Sequence, residues 1–152
     1  MERLYLDTSV FGGYFEPEFN RWTKVLFDQL QQGHYKLLYS TLLDNELTPA
    51  PRKVRDLVLT IPDDKIETIE ITPKSLDLAD LYIKENVVGK TSRPDCIHIA
   101  LATLYNADIL VSWNFKHIVN INRIRGYNSV NYRLGYQMLE IRTPREILEY
   151  ED

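Results

Sequence analysis

The chain has 152 residues, 44% of them hydrophobic, and a formal net charge of −4. At this length folding buries roughly 68–70% of the unfolded chain's surface, enough for one domain (residues 1–152) with a core that needs no staples. A single cysteine, Cys96, excludes an intramolecular disulfide and fits a reducing, cytoplasmic setting. No run of about 18 apolar residues marks a membrane span and the N-terminus does not read as a signal peptide, so no membrane partner is expected. The acidic balance means that any nucleic acid must be held by a local patch.

In chain order, Arg3 to Leu6 reads as a short buried strand, with Asp7, Thr8 and Ser9 where it stops; Gly12 and Gly13 then let the chain turn away. From Asn20, an N-cap candidate, Trp22, Val25, Leu26 and Leu30 fall at helical spacing, and Gly33 stops the helix. Lys36 to Ser40 is a second strand, leading straight into TLLDNEL, a helical turn that carries Glu46. Pro49 and Pro51 break the chain before a short helix over Arg52 to Leu59. Ile66 to Ile71 has the pattern of a strand with one wet face, placed at the sheet edge. Thr72-Pro73 starts a helix with Leu76, Ala79, Tyr82 and Ile83 on its apolar face. After a loop over Gly89 to Ser92, Arg93-Pro94-Asp95 opens the most apolar helix, DCIHIALATLYN. Ile109 to Ser112 is an apolar strand, explained by burial on both faces. A polar, basic loop follows Trp113-Asn114-Phe115, then a last strand over Met138 to Ile141. Thr143-Pro144-Arg145-Glu146 reads as a capping box opening a terminal helix. Strands alternating with helices imply a mostly parallel sheet covered on both faces, a three-layer α/β/α fold.

Four polar positions fall at strand ends or helix starts: Asp7, Glu46, Asp95 and Asn114. In a parallel sheet the carboxyl ends of the strands share one edge, where such residues converge from far apart in sequence. Three carboxylates within a few Å repel one another unless a cation holds them, and an all-oxygen set selects Mg²⁺ or Mn²⁺. Each residue also has a plainer role open to it: Asp7 as a turn cap, Glu46 as a solvated helix residue, Asp95 as a partner of the helix dipole. His98, one turn after Asp95, fits a buried, hydrogen-bonded histidine better than a metal ligand. Asp108 lies at the opposite end of its strand and is left out of the site. Phe11, Phe15 and Phe19 suit either internal packing or a dimer face.

LYLDTSVFGGYF, the Glu46 turn, RPDCIHIALA and ADILVSWNFKHI, in this order and spacing, resemble a PIN-domain protein, with the VapC-type ribonuclease toxins of prokaryotic toxin–antitoxin pairs as the nearest kind. The resemblance spans about residues 3 to 149. It implies a PIN-like parallel sheet of strand order 3-2-1-4-5, dependence on Mg²⁺ or Mn²⁺, hydrolysis of RNA phosphodiesters, a homodimer and a small antitoxin partner. By it, Asp7, Glu46 and Asp95 are the metal-binding acids, Ser9 is the hydroxyl position after the first, and His98 and Ala100 complete the pattern around the third. The chain departs from the family at Asn114, where active members often carry a fourth acid.

Between Phe115 and Gln137 there is no Asp or Glu, while Lys116, Arg123, Arg125 and Arg133 occur with Tyr127 and Tyr132 interleaved. Such a patch holds phosphates and stacks unpaired bases, and Lys90 and Arg93 extend it; an ordinary solvated loop has the same composition. The expected function is a metal-dependent endoribonuclease in which Ser9 and Asn114 position the water or the ion. The alternative is a catalytically weak or inactive PIN-like module that binds RNA or a protein partner.

Overall fold

The structure is a computed structural model and describes residues 1–148. Five short strands, β1 (Arg3–Leu6), β2 (Lys36–Ser40), β3 (Ile66–Ile69), β4 (Ile109–Val111) and β5 (Glu140–Arg142), form one sheet in the order β3-β2-β1-β4-β5. Every pairing is parallel. This is the expected three-layer arrangement and strand order.

Alternation along the strands splits the apolar runs between two cores. Leu4, Leu6, Leu37, Ile109 and Val111 face one side, with α1 (Thr8–Gly13), α2 (Asn20–Gln31), α3 (Thr41–Leu47) and α4 (Arg52–Arg55). Tyr5, Leu38 and Leu110 face the other, with α5 (Pro73–Lys84), α6 (Arg93–Leu104) and α7 (Ile121–Arg133). Each fully buried Leu among them contributes roughly 1.5–3 kcal/mol of transfer free energy. The α6 helix is buried at every position from Cys96 to Thr103, which is why it shows no polar face. The short α8 (Pro144–Leu148) opens with the expected capping box: Thr143 N–H donates to Glu146 Oε1 and Glu146 N–H to Thr143 Oγ1. Residues 149–152, the end of the expected domain, lie outside the described residues.

Several expected boundaries move. Gly12 and Gly13 close α1 rather than a turn, because Gly13 lies against the Trp113 ring: a Cβ there would meet Trp113 Cδ1 at 2.7 Å. Asn20 is the first residue of α2, whose N-cap position is Phe19. The strand expected over Ile66 to Ile71 ends at Ile69, the one over Ile109 to Ser112 at Val111, and the last starts at Glu140. The helix expected over Arg52 to Leu59 tightens into a 3-10 turn at Asp56.

The largest correction concerns the basic stretch, which is the helix α7 rather than a loop. Asn120 caps it by accepting from Arg123 N–H, and Tyr127 and Val130 bury its inner face. Two buried asparagines supply the rest. The Asn128 side chain brackets the backbone of Leu139, donating to its carbonyl (3.0 Å) and accepting from its N–H (2.7 Å). Asn131 accepts from the Tyr82 hydroxyl and donates to Thr103 Oγ1. Polar side chains thus do the packing that apolar ones signal in a sequence.

Candidate active site

Asp7 follows β1 directly, its N–H donating to Val111 O of the neighbouring β4, and is only 4% exposed. Ser9 Oγ donates to Asp7 Oδ1 (2.6 Å) and Ser112 Oγ to Oδ2 (2.5 Å). Both hydroxyls are oriented by backbone groups, since Trp113 N–H donates to Ser9 Oγ and Asn114 N–H to Ser112 Oγ. Each hydroxyl hydrogen is left to point at the carboxylate. Burial nevertheless raises the Asp7 pKa above the usual carboxylate value; His98, Ser112 and Ser9 oppose this, and the nearby charge of Asp95 adds to it.

Glu46 reaches the same edge from the last turn of α3, a helix capped by Ser40 at the end of β2. Its Oε1 accepts from Thr8 Oγ1 (2.7 Å) and from His98 Nε2 (2.5 Å). Burial pushes its pKa up, but the His98 bond, the His98 charge and Thr8 together outweigh this and hold it below the ordinary value. A carboxylate only accepts, so His98 carries a proton on Nε2. His98 Nδ1 shares a second hydrogen bond with the Tyr5 hydroxyl (2.6 Å). The Tyr5 hydroxyl in turn bonds Ser40 Oγ (2.9 Å), which accepts from Leu43 N–H (3.0 Å). A buried chain of hydrogen bonds therefore runs from the cap of α3 through β1 and α6 back to Glu46. His98 is the buried, hydrogen-bonded histidine expected.

Asp95 stands in the first turn of α6. Burial raises its pKa, His98 and His117 oppose the rise, Glu46 adds to it and the Asn114 amide beside it opposes it. Asn114 differs from expectation. Its Oδ1 accepts from the N–H groups of Lys116 and His117 (3.2 and 3.0 Å), so the oxygen is engaged and the NH₂ end is the one left for Asp95. Asp108 lies at the far end of β4, accepting from Arg3 N–H (2.7 Å), as expected.

The three carboxylates and the hydroxyls between them are oxygen donors, the set that suits a hard cation such as Mg²⁺ or Mn²⁺. The charge of Asp95 adds to the rise at Asp7 and that of Glu46 to the rise at Asp95, the electrostatic situation a cation relieves. The donor chemistry fits the ion. The enclosure is not preformed: among the described residues no three His, Cys, Asp or Glu side chains are gathered closely enough to hold one.

The six cations expected to bind RNA divide. Arg93 pairs with Asp80 (2.9 Å), Arg133 pairs with Glu85 (3.1 Å) and Arg123 donates to Val87 O. Arg133 is also about 15 Å along α7 from Arg123. Lys90, Lys116 and Arg125 are exposed, with Lys116 two residues from Asn114. The sequence reasoning named Thr8 at the end of β1 without pairing it with Glu46, and missed Ser112, Tyr5, Ser40 and His117. Ser112 had a usable signal, a small hydroxyl residue ending the apolar strand beside β1; Tyr5, inside a buried strand, had none. Cys96 is no nucleophile, since burial pushes its thiol up to about 12.

No protein-family model and no curated protein matches this chain. Among solved structures it is similar to a chain in the crystal structure of VapBC2 from Rickettsia felis bound to a DNA fragment from their promoter. The identity is 15%, the match covers 93% of this chain and 98% of that one, and the TM-score is 0.54. No helix among the described residues is long and apolar enough to cross a membrane. The strand order, the three layers and this structural likeness agree that the chain has a PIN-like fold.

Proposed function

We propose that this protein is a metal-dependent endoribonuclease that hydrolyses RNA phosphodiester bonds, acting in the cytoplasm as the toxin of a toxin–antitoxin pair, as a homodimer neutralised by a small antitoxin. The observation that carries the nuclease reading is the buried Asp7 carboxylate at the end of β1, held by two hydroxyls and made reluctant to ionise by burial and by Asp95. A likeness to a chain of the VapBC2 complex supports the toxin and antitoxin parts.

Asp7, Glu46 and Asp95 would hold Mg²⁺ or Mn²⁺, which supplies positive charge against the carboxylates and the phosphate. Ser9 and Ser112 fix the plane of Asp7. His98 and Thr8 fix Glu46 and keep it ionised. Asn114 positions Asp95 through its NH₂ group and sets the backbone turn that carries Lys116 and His117. Lys116 and Lys90 draw phosphates toward an otherwise acidic molecule.

Cleavage of single-stranded RNA with Mn²⁺, with Asp7→Asn as control, tests this. Loss of cleavage in the variant is expected; equal activity in both proteins would point to a contaminant and sink the proposal. The second reading, a non-catalytic module binding RNA or a protein partner, is favoured by the engaged Asn114 oxygen and the unclosed donor set. Calorimetry with Mn²⁺ separates the two, since absence of binding below millimolar concentrations favours the module.

A further inference from the structure

Next to the carboxylate edge is a cavity of about 390 Å³ between α2, the segment after β4 and α8. Its walls are the rings of Phe19, Trp22, Trp113 and Phe115. Phe19 and Trp113 stack at 4.4 Å with their planes 21° apart, and Phe115 stands 6.2 Å from Trp113 and 6.3 Å from Phe19. Two guanidinium groups lie over Trp22, those of Arg145 (4.9 Å) and Arg21 (5.5 Å). The inner wall is fixed: Trp113 Nε1 donates to Thr23 Oγ1, and Gly13 leaves room for the ring. The outer wall is open, because Phe115 is 53% exposed.

We propose that this cavity receives one unpaired nucleobase of a single-stranded RNA, flanking the phosphodiester held at the carboxylate edge; the assignment deepens the nuclease reading and rests on it for the identity of the ligand as RNA. Three features select a base. A set of near-parallel and tilted rings with an exposed rim suits a flat π-system that slides in from solvent, the way sequence-tolerant single-strand binders hold bases. Glu18 and Glu146 in the lining disfavour a phosphate inside the cavity, and Arg145, also in the lining, is placed over the Trp22 ring. Lys116 follows Phe115 in the chain and is exposed, and Arg21 and Arg145 lie over Trp22, so cations stand by the same aromatic cluster to draw the backbone.

Two hydrogen bonds link the cavity to the carboxylate edge. Trp113 N–H donates to Ser9 Oγ, which donates to Asp7 Oδ1; Asn114, between the two cavity residues Trp113 and Phe115, stands beside Asp95. The segment that carries Trp113 and Phe115 is therefore tied to Asp7 through Ser9, which brings the cavity to the side of a phosphate held there. The segment Trp113-Asn114-Phe115 presents rings to the base on one side and an amide to the acid on the other.

The test uses the full chain in EDTA, where no cleavage is needed. A short single-stranded RNA carrying 2-aminopurine, walked through each position, is titrated into wild type and Phe115→Ala, with an abasic RNA as the third arm. Quenching at one position is expected, with affinity weakened about 5- to 150-fold by Phe115→Ala, the span of one base–aromatic stack. The abasic substitution at that position should weaken wild type equally, and Phe115→Ala should add nothing to it. Affinity unchanged by both changes overturns the proposal. Exposure of Phe115 makes the variant safe to fold. Because the readout is binding without metal, a failure of the cleavage assay with Asp7→Asn leaves this result interpretable, and the reverse also holds.

Discussion

Tyr5→Phe isolates the buried chain that positions Glu46. The change removes one oxygen from a fully buried ring and leaves the ring in place, so no cavity larger than a hydroxyl forms. Two hydrogen bonds go with it, to His98 Nδ1 (2.6 Å) and Ser40 Oγ (2.9 Å). Ser40 keeps its bond from Leu43 N–H, but His98 Nδ1 loses its partner in the core. A lost hydrogen bond costs about 1 kcal/mol and an orphaned buried polar group about 1–3 kcal/mol, so the variant should lose about 2–4 kcal/mol. For a chain of this size that is a fall in Tm of roughly 4–16 °C. Guanidinium unfolding should show a lower midpoint with an unchanged slope. Tyr132→Phe, at an exposed ring, is the control and should stay within about 0.5 kcal/mol. Imidazole ¹⁵N shifts of wild type should show the His98 proton on Nε2. A loss below about 0.5 kcal/mol in Tyr5→Phe, or a proton found on Nδ1 alone, would refute the chain as drawn.

Gly13→Ala should destabilise by about 1–3 kcal/mol, since its Cβ would stand 2.7 Å from Trp113 Cδ1; an unchanged near-UV circular dichroism spectrum would show that the ring does not move. Asp7→Asn should raise thermal stability at neutral pH in EDTA. Burial raises the folded-state pKa of Asp7, so its favourable contribution is complete below the unfolded pKa and is lost as pH rises through the folded one. The advantage of the neutral amide should therefore shrink in acid, and a melting difference independent of pH would contradict the assigned shift. Asn114→Asp keeps an oxygen for the Lys116 and His117 N–H groups and puts a second carboxylate beside Asp95. Calorimetry should find Mn²⁺ bound at least about tenfold more tightly, a gain of about 1.4 kcal/mol; no change would remove position 114 from the site.

What the sequence carried was period and punctuation. The runs around Leu4, Leu37 and Leu110 are apolar on both faces, and a parallel sheet under two helical layers follows from that. The acids at Asp7, Glu46 and Asp95 were legible because each sits where an apolar segment starts or stops. The α7 helix was hidden because Asn128 and Asn131 replace the apolar residues that periodicity counts. Half of the basic patch was overcounted for a related reason: sequence shows charge but not partners, and Asp80, Glu85 and Val87 O lie on other elements. Asn114 was read as an oxygen donor, whereas local backbone geometry turns its oxygen inward. Sequence alone gives no sign of which end of an amide will face a site.

The three acids do not share one electrostatic role, although they share one edge. Glu46 is held below its ordinary pKa by His98 and Thr8, so its negative charge is fixed and its orientation is set by a chain of hydrogen bonds. Asp7 and Asp95 are both pushed up by burial, and Asp95 adds to the rise at Asp7. Environments that drive neighbouring acids apart assign them different tasks. Here the fixed anion is on α3, and the pair that gains from a proton or a cation lies at the end of β1 and the start of α6. Either occupant relieves the same repulsion, so acid and divalent ions should compete for Asp7 and Asp95 while leaving the Glu46–His98 bond intact. The rigid half of the site is thus built by Tyr5, Ser40 and His98, and the responsive half by the two aspartates that the fold has left short of positive charge.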